Sequence, residues 1–97
     1  MTNINNLFQL QLNDNDLSGT IPSEFGPTSM SGLFLHNNRL TGKIPATLSK
    51  MVFVGTINLY NNSLSGTIPS ELCQLGAIRN LILAENRLLL LILLINL

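Results

Sequence analysis

The residues able to do covalent or acid–base chemistry in this chain are few: one histidine (His36), one cysteine (Cys73) and five carboxylates (Asp14, Asp16, Glu24, Glu71 and Glu85). Nucleophilic or acid–base catalysis needs at least two matched groups converging in one pocket. His36 and Cys73 are 37 residues apart and fall on opposite faces of the pattern described below, so they make no dyad. Glu24 and Glu71 recur at one pattern position, at the starts of short helical segments where a carboxylate is favourable, and Asp14 lies on a different face. There is no glycine-rich phosphate loop and no cluster with metal-ligand spacing. A lone thiol makes no internal disulfide, and Cys73 reads as a small, partly buried apolar residue. These residues predict a protein that is not an enzyme and needs no cofactor and no metal.

The chemistry that does recur is that of the amide. Asn15, Asn38, Asn62 and Asn86 are spaced 23, 24 and 24 residues apart. Each closes a similar phrase: Leu10-Gln-Leu-Asn-Asp-Asn15, Leu33-Phe-Leu-His-Asn-Asn38, Ile57-Asn-Leu-Tyr-Asn-Asn62 and Leu81-Ile-Leu-Ala-Glu-Asn86. A primary amide carries two donors and one acceptor carbonyl, so it can satisfy backbone groups that a turn leaves inside the protein. The four asparagines are therefore expected to form a ladder, each bridging adjacent turns of chain. Replacing one by leucine would then strand a buried polar group.

The elements around this ladder follow from periodicity. A fixed period of 23–24 residues signals a solenoid, in which each repeat buries its apolar face against its neighbours. The L-x-L alternation before each asparagine is a short strand of period 2. Leu10 and Leu12, Leu33 and Leu35, Ile57 and Leu59, and Leu81 and Leu83 are expected to point inward. After the turn come Leu17-Ser-Gly-Thr-Ile-Pro22, Leu40-Thr-Gly-Lys-Ile-Pro45 and Leu64-Ser-Gly-Thr-Ile-Pro69. Glycine permits a tight bend, and proline opens a short helical segment. The predicted fold class is an α/β repeat solenoid of about four repeats, with a parallel sheet on one face and short helical segments on the other. The first repeat is one residue short around Gly26-Pro27-Thr28, which should tighten the loop before the second strand.

At this level of detail the pattern L-x-x-L-x-L-x-x-N-x-L-S/T-G-x-I-P resembles the plant-type leucine-rich repeat, over residues 4 to 88. The resemblance implies a right-handed superhelical array with its strands on the concave face and a second short sheet from the S/T-G-x-I-P stretch. It also implies an extracellular or cell-surface setting, in receptor-like proteins, receptor kinases or secreted inhibitors. This chain departs from the family in lacking cysteine-paired caps, and the fourth repeat loses its punctuation after Leu88.

Composition narrows the partners. The chain has 97 residues, is 45% apolar and 10% charged, and carries no formal net charge. A nucleic-acid binder needs a basic face, so nucleic acid is excluded as a partner. Residues 1–88 form the repeat array, entered in mid-repeat at Ile4, and residues 89–97 form an apolar tail. Leu88 to Ile95 is an unbroken apolar run of eight residues, whereas a spanning helix needs about 20. A membrane is thus expected only if a parent protein has a span outside this fragment. Met1 to Asn6 has no basic segment or apolar core of a secretory leader. The chain reads as a window on a longer array, whose uncovered ends would drive dimerisation or aggregation unless the tail covers one of them.

On the concave face, the outward residues would be Gln9, Gln11, Asn13 and Asp14; Gly32, Phe34, His36 and Asn37; Thr56, Asn58, Tyr60 and Asn61; and Asn80, Ile82, Ala84 and Glu85. Aromatic groups among adaptable polar neighbours suit a protein or peptide partner. Phe34, His36, Asn58 and Tyr60 are the expected centre of such a face, flanked by Gln11 and Asn13. Asn61-Asn-Ser63 is a glycosylation sequon, making Asn61 a candidate glycan site. Two other functions fit the same residues: the ectodomain of a receptor-like kinase, and filler repeats that set curvature without binding anything.

Overall fold

The computed structural model describes residues 8–89. Each repeat contributes two strands to two separate parallel sheets. One sheet orders β1 (Phe8–Gln11), β3 (Met30–Phe34), β5 (Thr56–Asn58) and β7 (Asn80–Ile82) side by side. The other orders β2 (Ser18–Gly19), β4 (Arg39–Lys43), β6 (Ser63–Thr67) and β8 (Arg87–Leu89). The second sheet is thus the S/T-G-x-I-P strip that the family resemblance implies. The helical segments are 3₁₀ turns at Ser23–Phe25, Ala46–Lys50 and Ser70–Gln74, each preceded by Pro22, Pro45 or Pro69 with φ near −64°. Proline locks φ near this value and so sets the entry to each turn.

The strand leucines and isoleucines meet in one continuous core. Leu33, Ile57, Leu59 and Leu64 have no exposed surface, and Leu48, Met51 and Val54 join them from the opposite side. Main-chain bonds cross the repeats in both senses, and one set recurs at the leucine that follows each strand. The Leu12 amide donates to the Phe34 carbonyl (2.9 Å), Leu35 to Asn58 (2.9 Å) and Leu59 to Ile82 (2.8 Å). Gly19, Gly42 and Gly66 have φ of 86°, 82° and 79°, the left-handed geometry that glycine adopts without steric cost.

The missing residue of the first repeat is absorbed by the 3₁₀ turn, which has three residues instead of five. The loop after it is held by Thr28, whose hydroxyl donates to the Phe25 carbonyl at 2.7 Å and whose amide donates to Gly26 at 2.8 Å. A Cβ on Gly26 would stand 2.1 Å from the Thr47 carbonyl oxygen, so this tightened loop passes where only glycine fits. The strand register also shifts between Phe8 and Gln9.

Three expectations need correction. Cys73 is exposed, because it lies on the solvent side of its 3₁₀ turn, opposite buried Leu72. Gly32 is buried, since the Phe34 ring covers it. Leu12 and Leu81 keep 37% and 39% of their surface exposed, because a strand at the end of the described array has a neighbour on one side only. Ile4, Leu7 and the tail beyond Leu89 lie outside the described residues.

Candidate functional site: the concave sheet and its asparagine ladder

The ladder positions the face above it. The amide nitrogen of Asn38 donates to the Leu12 carbonyl of the preceding repeat (3.0 Å) and to the Leu35 carbonyl of its own (3.0 Å). Its carbonyl accepts the Leu17 amide at 3.0 Å. Asn62 repeats this with Leu35, Leu59 and the Leu40 amide, and Asn86 with Leu59, Leu83 and the Leu64 amide. Asn38 and Asn62 are the buried polar side chains of the core. Asn15 bonds only to the Leu12 and Asn13 carbonyls of its own repeat among the described residues. The bridging expectation therefore holds for three of the four.

Sequence reasoning missed a second column. The residue before each ladder asparagine carries the turn itself: Asp14, Asn37, Asn61 and Glu85 have φ of 60°, 59°, 58° and 59°. Asparagine and aspartate tolerate this conformation best, and glutamate poorly. Their side chains link along the rim. Asn37 donates to the Asp14 carboxylate at 2.7 Å, and Asn61 donates to the Asn37 carbonyl at 3.0 Å. The amide of Asn13 also donates to Asp14 at 2.6 Å. These bonds from Asn13 and then Asn37 hold the Asp14 carboxyl below its ordinary 3.8. Three of the four show in the sequence as Asp14-Asn15, Asn37-Asn38 and Asn61-Asn62 pairs, and Glu85 breaks the residue type.

The six expected face residues do come together. Strand register aligns Gln11, Phe34, Asn58 and Ile82 across the sheet. Two residues further along each repeat stand Asn13, His36, Tyr60 and Ala84. The Phe34 and His36 rings meet edge to face, with centroids 6.3 Å apart and planes at 75°. A Cβ on Gly32 would stand 2.7 Å from the Phe34 ring, so glycine at 32 lets that ring lie flat on the strand. Phe34 and His36 are consequently half-buried, while Tyr60 and Ile82 remain exposed. His36 Nδ1 is the one buried side-chain polar atom without a partner among the described residues. Two polar neighbours are already engaged: Asn58 accepts the Tyr60 amide (3.1 Å), and Gln11 donates to Gln9 (3.1 Å).

Such a face offers aromatic surface, amides and one imidazole. No group of three metal-ligating side chains occurs among the described residues. Asn61 is exposed on the rim, with its amide engaged by Asn37.

The comparison with known proteins matches this architecture. The Leucine Rich Repeat family model matches residues 6–27, 29–51 and 54–75. The chain belongs to the leucine-rich repeat family. None of the curated proteins compared matches it significantly. Among solved structures, this leucine-rich repeat chain is similar to the ectodomain of the Arabidopsis thaliana receptor kinase GASSHO1/SCHENGEN3, solved with CASPARIAN STRIP INTEGRITY FACTOR 2. They share 36% identity over 84% of this chain and 10% of that one, with a TM-score of 0.82. It is similar to the BIR2 ectodomain of the same species, at 40% identity over 84% of this chain and 43% of that one, TM-score 0.80. A third is the Arabidopsis receptor kinase HAESA, solved with the peptide hormone IDA and the co-receptor SERK1, at 29% identity over 84% of this chain and 14% of that one, TM-score 0.74. The chain spans less than half the length of each. They are plant receptor ectodomains, which agrees with the plant-type pattern.

Proposed function

We propose that these repeats are a non-enzymatic binding segment of an extracellular, receptor-like leucine-rich repeat protein, and that a peptide or protein ligand lies along the concave sheet. One observation carries the reading. A half-buried Phe34–His36 pair is seated beside exposed Tyr60 and Ile82 on a sheet whose polar neighbours are already fixed. Pre-placed aromatic surface costs little entropy on binding and is typical of residues that dominate interfaces. The solved relatives described above include two bound to a peptide or protein factor, which supports the same class of partner.

Phe34 and Tyr60 serve as apolar anchors in this reading, with His36 and Asn58 between them and Gln11 and Asn13 at the margin. Asn61 is the position for a glycan at the rim. The parent protein is of the receptor-kinase kind, and these repeats belong to its ectodomain. No helix among the described residues is long and apolar enough to cross a membrane.

The test is selection of extended peptides from a random display library against the 97-residue chain, followed by titration against Phe34→Ala/Tyr60→Ala. The selected peptides should bind the double variant at least about tenfold more weakly, the loss expected for two anchoring aromatics. Equal affinity for the parent chain and the double variant would overturn the concave-face assignment.

A further inference from the structure

The rim of the concave sheet is a chain of side-chain bonds with one break, and the break specifies a ligand group. Asn37 donates its amide to the Asp14 carboxylate at 2.7 Å, and Asn61 donates to the Asn37 carbonyl at 3.0 Å. Each of these asparagines gives its donor to the repeat before it. The next rim position holds Glu85, whose ionised carboxylate has no donor to give. The backbones at 61 and 85 are neighbours: the Asn61 amide donates to the Ala84 carbonyl at 3.0 Å and the Asn62 amide to the Glu85 carbonyl at 3.2 Å. Adjacent strands lie about 4.8 Å apart, so the Asn61 carbonyl and the Glu85 carboxylate, two acceptors, fall where the rim otherwise links donor to acceptor. Neither is engaged by another side chain among the described residues.

The surroundings fit a cation. Tyr60 precedes Asn61 and keeps 40% of its surface exposed, and the position answering to it in the fourth repeat is Ala84, too small to cover the ring. The charges are distributed to match. Arg39, Lys43 and Arg87 lie in the second sheet, Lys50 in a 3₁₀ turn and Arg79 ahead of β7, whereas the rim carries Asp14 and Glu85. A chain without formal net charge thus has a concave rim charged only by carboxylates. Asp14 is already bonded to Asn13 and Asn37, which leaves Glu85 as the carboxylate with capacity to spare.

We propose that the corner formed by Tyr60, Asn61, Ala84 and Glu85 is a subsite for an arginine side chain of the peptide ligand. This rests on the concave-sheet reading above and names one group of that ligand. The guanidinium donates to the Glu85 carboxylate and to the Asn61 carbonyl together, with its plane against the Tyr60 ring. Arginine suits two separated acceptors and an aromatic face, because its planar fork carries five donors and stacks on rings, whereas an ammonium is a compact point charge. The rim amides fix the acceptor in advance: Asn61 is held through its own donor to Asn37, and Asn37 through its donor to Asp14. A glycan on the Asn61 amide nitrogen would cover this corner, so glycosylation closes the subsite and its absence opens it.

The experiment is a magnetic resonance titration of the unglycosylated full chain at low salt, with Nα-acetyl-arginine amide and its citrulline counterpart as probes. Citrulline keeps the shape of arginine without the charge. The arginine probe should shift the Tyr60 ring and Glu85 carboxyl signals to saturation, and the citrulline probe should shift neither. Glu85→Gln should weaken the arginine probe by roughly two- to fivefold, the scale of one exposed charge pair. Glu85→Asn, which supplies the missing rim donor, should leave the Tyr60 ring signal unmoved; far-ultraviolet circular dichroism checks that both variants fold. The peptides selected against the parent chain extend the test. Replacing one of their arginines by citrulline should weaken binding to the parent by roughly two- to fivefold and have no further effect on Glu85→Gln. An arginine probe that acts no differently from citrulline, or that binds Glu85→Gln as tightly as the parent, would overturn the proposal. Peptides that lose affinity for Phe34→Ala/Tyr60→Ala yet bind Glu85→Gln and the parent equally would also overturn it, and would leave the concave-sheet reading standing.

Discussion

The inner and outer repeats carry nearly the same words and live in different physical states. In the second and third repeats, Leu33, Ile57 and Leu59 have no exposed surface, and Asn38 and Asn62 are buried, each bonded to its own repeat and to the one before. In the first and fourth, Leu12 and Leu81 are more than a third exposed, and Asn15 bonds only within its own repeat among the described residues. The difference teaches that in this fold a residue's energy is a property of the interface between repeats. A leucine or an asparagine contributes in proportion to the neighbours it has, as a one-dimensional array requires.

The contrast is broken first by its leucines. Leu59→Ala should cost about 2–5 kcal/mol, the range for a buried leucine that leaves a cavity. Leu81→Ala should cost only about 1 kcal/mol, because less apolar surface is lost from a half-open site. Urea denaturation of both variants checks this, and equal costs would erase the distinction.

The asparagines give the next effect. Asn62→Leu should cost about 1–3 kcal/mol, since it strands the buried Leu40 amide and leaves the Leu35 carbonyl with Asn38 alone. Asn15→Leu should fall within about 0.5 kcal/mol of the parent, as a surface substitution does.

An outer repeat can also be repaired. Glu85 holds a left-handed backbone that suits glutamate poorly, beside an Asn61 carbonyl that the rim column would engage. Glu85→Asn should raise stability by about 0.5–1 kcal/mol, read as a higher urea midpoint.

The smallest effect sits at Asp14. Its carboxyl is held below 3.8 by Asn13 and then Asn37, so its contribution is complete above that pH and is lost as pH falls through the lowered value. Carbon-detected magnetic resonance titration should show the Asp14 midpoint rising toward 3.8 in Asn13→Ala, and by less in Asn37→Ala.

Much of this was legible before the structure. The period-2 leucines gave the strands, and the 23–24-residue spacing gave their stacking. The amide's double capacity gave the ladder, because donors and acceptors are a property of residue type. What was not legible depended on neighbours. Nothing in the local sequence says that Gly32 lies under Phe34, since the cause is a ring two residues away folding back. Nor does it say that Cys73 faces out, since a 3₁₀ turn of five residues has no strong periodicity. The rim column escaped because Asp14, Asn37, Asn61 and Glu85 share a backbone conformation and not a side-chain class.

The central claim is that the ladder asparagines hold one repeat to the next, and native-state hydrogen exchange at the Leu40 amide tests it most directly. That amide donates to Asn62 at 3.0 Å inside the core. In Asn62→Leu its exchange should accelerate by at least roughly tenfold more than that of the Leu33 amide, the factor for one lost buried hydrogen bond. Unchanged protection of Leu40 relative to Leu33 would contradict the account.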